Sequence, residues 1–260
     1  MHFGGTPSSV GRVGLTQCGR GPESAIGSIV ESLNFACSST TNFRFIRPKE
    51  LNACNFRYQL VSLHMRNPEA TKETILKESG ILFNTQGYKA TSLSNITEAT
   101  GFTKGAIYRH FTSKDDLEIE TLIHLSGIMN EKVRDRIKGQ STSGNKLRAI
   151  LQFFESYISN PPIEGGCPLL NAAVEADDAH PELKKTALKI LNGLRSSLIS
   201  ILEKGIHHKQ IKRGIDKELY AAVIIASLEG AIMMSKLSGN DQDIIRIIKH
   251  LEKQIAEIEI

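Results

Sequence analysis

Ala90-Thr91-Ser92-Leu93-Ser94-Asn95-Ile96-Thr97-Glu98-Ala99-Thr100-Gly101-Phe102-Thr103-Lys104-Gly105-Ala106-Ile107-Tyr108-Arg109-His110-Phe111 reads as two short helices joined by a tight turn. Thr91 or Ser92 is expected to cap the first, because a side-chain oxygen there can accept an unpaired backbone N–H. Leu93 and Ile96 give that helix an apolar side, and Gly101 supplies the backbone freedom an abrupt turn needs. Thr103 then caps the second helix, whose Ile107 and Phe111, four residues apart, face inward with Phe102. Stepping about 100° per residue from Ile107, Gly105 and Arg109 point outward, flanked by Ala106 and Tyr108, with Lys104 at the helix start. Such a surface suits a DNA groove: small residues allow close approach, donors reach base edges, and a helix N-terminus favours phosphate. Lys114 adds a cation near the same edge. By spacing alone, an αα-corner in a helical bundle would read much the same way.

Moving outward, helix punctuation continues on both sides. Asn67-Pro68-Glu69 offers a cap, a proline in the first turn and an early acid, and Ile75, Leu76, Ser79, Leu82 and Phe83 then share one face until Gly87. Ser113 and Asp116 form a capping box that opens a long helix to about Lys138. A further helix is expected from about Asn145 to Ser159, stopping at Asn160-Pro161-Pro162. Later helices are expected near 168–177, 181–208, 217–237 and 241–259, with Asp216 and Asn240 as caps. Strand-like alternation is absent, so the fold class is all-α.

The run Thr-Lys-Gly-Ala-Ile-Tyr-Arg-His-Phe followed by Ser-Lys-Asp-Asp-Leu, Thr103 to Leu117, resembles the signature of the TetR family of bacterial regulators. The resemblance spans Ile75 to Leu122. It implies a three-helix DNA-binding domain over 65–112 and a helical ligand-binding and dimerisation domain over 113–260. By match of position, Lys104, Gly105 and Arg109 would read bases in the major groove, and Ser94 stands where some members place a base-reading side chain. Tyr108, His110, Lys114 and the hydroxyls near Thr91 and Ser92 would hold phosphates, and Thr103 is a further expected DNA-binding residue. Thr97 departs from the pattern, since a small apolar residue is usual there. Gly165-Gly166-Cys167-Pro168 resembles a subgroup with such a turn into its sixth helix, next to a small-molecule pocket. Phe154, Tyr157, Cys167, Asn171, Val174 and Glu175 are the expected ligand-binding residues. The implied partners are double-stranded operator DNA, an unidentified effector and a second copy of the chain.

The last two helices are the expected dimer surface. Ala221, Ala222, Ile225, Ala226, Glu229 and Met233 offer a small-residue face, and Ile244, Ile245, Ile248, Leu251, Ile255 and Ile258 a long stripe, although such a stripe can equally be buried within one chain.

Composition bounds the rest. Of the 32 basic and 28 acidic residues, the first 64 positions hold six and three, so the remainder is close to neutral and any basic footprint must be local. Residues 1–64 are rich in Gly, Ser, Thr and Asn and lack apolar periodicity; they are expected to be mostly disordered. An organellar transit peptide, or Met65 as the true initiator, are the alternatives for that segment. The four cysteines form neither a disulfide framework nor a zinc site, which suits the cytoplasm. No run reaches about 18 consecutive apolar residues, so no membrane role is expected. There is no phosphate-binding glycine loop and no nucleophile elbow, so no enzyme, cofactor or metal is expected. The competing reading is a small helical enzyme or metal-binding protein using Cys167 to His180. Cys167 at a helix start could be reactive, and Glu175, Asp177, Asp178 and His180 could be ligands, although acids at a helix end are more often solvated.

Overall fold

The computed structural model describes residues 67–176 and 180–260, which form nine α-helices. The expectations for 1–64, and for Asp177 and Asp178, lie outside the described residues. In α1 (Pro68–Gln86), Asn67 Oδ1 accepts from the Ala70 N–H at 3.2 Å, and Pro68 occupies the first turn, where a missing N–H costs nothing. Helices α2 (Leu93–Thr100) and α3 (Lys104–Ile107) form the expected pair. Ser113 Oγ accepts from the Asp116 N–H at 3.0 Å to start α4 (Lys114–Ile137), while the Asp116 carboxylate accepts from the Thr112 N–H rather than from Ser113.

Helix α5 (Ser143–Glu155) begins two residues before the expected start, because Thr142 Oγ1 caps it by accepting from the Asn145 N–H at 3.1 Å. It ends before Ser159, where the chain breaks into turns ahead of Pro161 and Pro162. The remaining helices are α6 (Pro168–Glu175), α7 (Pro181–His207), α8 (Lys217–Ser238) and α9 (Gln242–Ile258). Asp216 caps α8 through the Leu219 N–H. Asp241 takes the cap position of α9, yet it is Asn240 Oδ1 that accepts from the Gln242 N–H. Among the described residues, the one pairing of extended backbone is an isolated antiparallel bridge between Ile211 and Glu259.

Two apolar cores result. Ile75, Phe83, Ile96, Ile107, Phe111, Leu117 and Leu122 are fully buried together, and Ala172, Ala176, Leu183 and Ala187 of α6 and α7 close the same cluster. Leu147, Leu151, Tyr157, Leu202, Ile224, Leu228, Ile244, Leu251 and Ile255 form the second. Each large side chain removed from water contributes about 1.5–3 kcal/mol before entropy is counted. Helix α6 packs on both α1 and α7, and a polar knot fastens it. The Asn171 amide donates to Asn84 Oδ1 at 2.8 Å and to the Asn84 and Gly165 carbonyls at 3.1 Å, while the Asn84 amide donates to the Glu164 and Gly166 carbonyls.

The last two helices differ from expectation. Ile244, Ile248, Leu251, Ile255 and Ile258 are all buried within the chain, against α5 and α8, so the α9 stripe is not an open surface. The apolar stripe left exposed belongs to α8: Leu219, Ala222, Ala226, Met233 and Leu237. Ala221 is fully buried and Glu229 half-buried, and neither belongs to that exposed stripe. By length and composition α8 could cross a membrane, but Ala221, Ile224, Leu228, Ala231 and Ile232 are spent on the second core.

Candidate nucleic-acid interface

Ile107 and Phe111 are each 1% exposed, and they fix which way the second helix of the pair faces. Thr103 Oγ1 accepts from the Ala106 N–H at 3.2 Å, and the chain continues past Ile107 in tight turns, with the His110 and Phe111 N–H groups both reaching the Ile107 carbonyl. Lys104, Gly105, Tyr108 and Arg109 are therefore exposed side by side, with Ala106 and His110 half-buried at the flanks. A Cβ at Gly105 would meet only Thr103 Oγ1, at 3.9 Å, so its lack of a side chain serves the outer surface and not internal packing.

At α2, Ser92 is the cap: its Oγ accepts from the Asn95 N–H while Asn95 Oδ1 accepts from the Ser92 N–H. Ser92 and Ser94 are exposed. Thr97, the departure from the family pattern, satisfies its hydroxyl by donating to the Ser94 carbonyl at 2.8 Å.

Two expected phosphate contacts are corrected. Thr91 is fully buried and its hydroxyl donates to the Gly87 carbonyl at 2.7 Å, which removes it from any outer surface. The Lys114 ammonium donates to the Tyr88 carbonyl at 2.8 Å and lies 2.9 Å from Glu118 Oε1, so it ties α4 to the turn before α2.

The profile for bacterial regulatory proteins of the tetR family matches residues 75–121, and that for a tetracyclin repressor-like C-terminal domain matches residues 144–251. A TetR transcriptional regulator from Chloroflexus aurantiacus J-10-FL, known as a crystal structure, is 31% identical, with a TM-score of 0.71, over 75% of this chain and 98% of its own. The chain belongs to the TetR family. A TetR-family regulator from Cytophaga hutchinsonii is 30% identical over 74% of this chain and 96% of its own, with a TM-score of 0.68. The fatty acid metabolism regulator protein of Bacillus subtilis strain 168 is 24% identical over 62% of this chain and 81% of its own length. This TetR-family chain is a DNA-binding transcriptional regulator, and the exposed surface of α3 is where its motif lies.

Several of the residues expected to bind a ligand in this TetR-family protein make other contacts. Tyr157 is 1% exposed and stacks on Phe154 with ring centroids 5.4 Å apart, as core packing. Asn171 is spent on the Asn84 knot. Val174 is 71% exposed, and Glu175 accepts from the Lys89 N–H at 3.1 Å, gripping the turn between α1 and α2. One cavity is a half-open groove of about 320 Å³ between α6, α7 and α8, and a polar cleft of about 370 Å³ lined by Lys132, Asp135, Arg136 and Phe153 lies between α4 and the end of α5. Leu169, Leu170, Ala187, Leu191 and Ile225 line the groove, with Glu229 as its acid. Sequence reading missed Glu229 as a lining residue, having assigned it to the dimer face.

Cys167 touches that acid from behind: its Sγ–H donates to Glu229 Oε1 at 3.0 Å. Burial, then the neighbouring Glu229, push the thiol up, so the helix start does not activate it. Burial likewise raises the Glu229 carboxyl. His180 belongs to a different group, with Asp115 and Glu118. Its Nδ1 accepts from the Leu183 N–H at 3.2 Å, which leaves the proton of a neutral ring on Nε2, 3.0 Å from Glu118 Oε2 though poorly aligned for a hydrogen bond. With Lys114 already balancing Glu118, this set suits an ion network joining α4 to α7 better than a metal. Cys167 and His180 thus answer to separate partners among the described residues.

Proposed function

We propose that this regulator is a cytoplasmic repressor that binds a pseudo-palindromic operator as a homodimer and is released by a small effector. The observation that carries the reading is the side-by-side exposure of Lys104, Gly105, Tyr108 and Arg109 over a buried Ile107 and Phe111. Lys104, Arg109 and Ser94 read base edges, Gly105 admits the DNA closely, and Ser92, Thr103, Tyr108 and His110 hold phosphates. One helix this short reads few base pairs, so two copies related by a two-fold axis meet successive major grooves about 34–36 Å apart. The open α8 stripe of Leu219, Ala222, Ala226, Met233 and Leu237 supports pairing there, its alanines permitting close approach. Residues 65–112 do the reading and 113–260 the sensing.

Release follows from linkage: an effector that favours one spacing of the two heads weakens DNA binding by the factor by which DNA weakens the effector. Helix α4 starts beside α3 and ends in the second core, and α6 holds the first core through Asn171 and Glu175.

The test is binding of the full chain to its own upstream DNA and to a random-sequence pool, at two salt concentrations with excess competitor. Two protomers per site and a steep salt slope are expected. Lys104→Ala or Arg109→Ala should change base preference at one position at a cost of about 1–3 kcal/mol, and Tyr108→Ala should weaken all sequences alike. Folded variants with unaltered binding would refute the assigned surface.

A further inference from the structure

The groove between α6, α7 and α8 has one chemical peculiarity. Its lining is apolar, from Leu169, Leu170, Ala173, Ala187, Leu188, Leu191 and Ile225, apart from Glu229 and the exposed Lys184. Glu229 is half-buried, and its two oxygens are in unequal states. Oε1 accepts from the Cys167 thiol, whereas Oε2 is out of water and has no hydrogen-bond partner. Buried polar oxygens in folded proteins are nearly always satisfied, and an orphaned one on a residue that lines a cavity marks where a donor would be drawn in.

The thiol is a weak donor and carries no charge, so nothing facing Glu229 from α6 balances an ionised carboxylate. Lys184 stands across the groove on α7, but its exposure leaves its charge to be screened by water and salt. A guest with an anionic head would meet an acid in an apolar lining, and a wholly apolar guest would leave Oε2 orphaned. An ammonium supplies both N–H donors and the missing charge, and such charge-assisted bonds are roughly twice as strong as neutral ones. At about 30 Å³ per water-sized group, 320 Å³ holds roughly ten non-hydrogen atoms.

Building on the effector-release reading above, we propose that this groove is the effector site and takes a lipophilic amine, its ammonium held by Glu229 Oε2 and its apolar body by Leu169, Leu170, Leu191 and Ile225. The Cys167 thiol holds the other oxygen and thereby aims the carboxylate, which makes it a positioning residue.

Calorimetry of the full chain without DNA, using 1-nonylamine, 1-nonanol and nonanoate, tests the assignment. The amine should bind at least about tenfold more tightly than the alcohol, and nonanoate more weakly than either. Glu229→Gln, monitored for folding by circular dichroism, should weaken the amine about tenfold and leave the alcohol within threefold. Ala173→Phe, at an exposed position on the groove wall, should weaken amine and alcohol together. Equal binding of amine and alcohol, tighter binding of nonanoate, saturable binding of none of the three, or an unchanged amine affinity in Glu229→Gln would each overturn the proposal. Because DNA is absent from this measurement, such a failure leaves operator binding standing, and failure to find an operator leaves the calorimetry valid.

Discussion

Gly165 and Gly101 both have positive φ, at +96° and +70°, yet their surroundings differ sharply. A Cβ on Gly101 would meet nothing within 4 Å, whereas one on Gly165 would lie 2.2 Å from the Asn84 carbonyl oxygen and 2.5 Å from its carbon. Replacing either by alanine incurs the left-handed penalty of about 1–2 kcal/mol, offset by about 0.4–1 kcal/mol from a stiffer unfolded chain. Gly101→Ala should therefore cost about 1.6 kcal/mol or less. Gly165→Ala must also push α1 away from the loop, adding about 1–3 kcal/mol of overpacking. The shift would break hydrogen bonds of the Asn84–Asn171 knot, each worth about 1 kcal/mol. A total of about 3–5 kcal/mol is expected, read by urea unfolding followed by circular dichroism with linear extrapolation. If the two variants lose the same stability to within about 1 kcal/mol, the knot is not the constraint described here.

Lys114→Ala should cost about 1–2 kcal/mol by leaving Glu118, 5% exposed, without its ammonium and the Tyr88 carbonyl without its donor. Adding Glu118→Gln should recover part of that loss in a double-mutant cycle, and simple additivity would show that the pair is not coupled. Glu229 carries a pH signature. Its folded carboxyl lies above the ordinary value, so the stability linked to its proton is complete below the unfolded value and lost as pH rises through the folded one. Wild type should therefore fall relative to Glu229→Gln as pH rises beyond the ordinary carboxylate range, with Cys167 and Lys184 present in both; a gap that does not change with pH would exclude this.

The orientation of α3 was legible because Ile107 and Phe111 obey the helical repeat within one short segment, and capping side chains sit within four residues of what they cap. What distance in sequence separates was not legible. The groove takes its walls from α6, α7 and α8, so no single window of sequence contains it. Asn171 read as a ligand contact because its partner, Asn84, lies 87 residues away on α1. Thr91 and Ser92 are adjacent hydroxyl residues, and only the tertiary packing decides that one is buried and the other caps. The α9 stripe was correctly read as apolar, but periodicity names a face to be buried without saying which chain buries it.

That last answer bears on biogenesis. Because α5 and α8 of the same chain already cover Ile244, Ile248, Leu251, Ile255 and Ile258, this stripe needs no second copy to take it out of water. Under the proposed pairing through the α8 stripe, copies meet as finished bodies. The rate of pairing is set by concentration, and differently tagged populations should exchange subunits without passing through an unfolded chain.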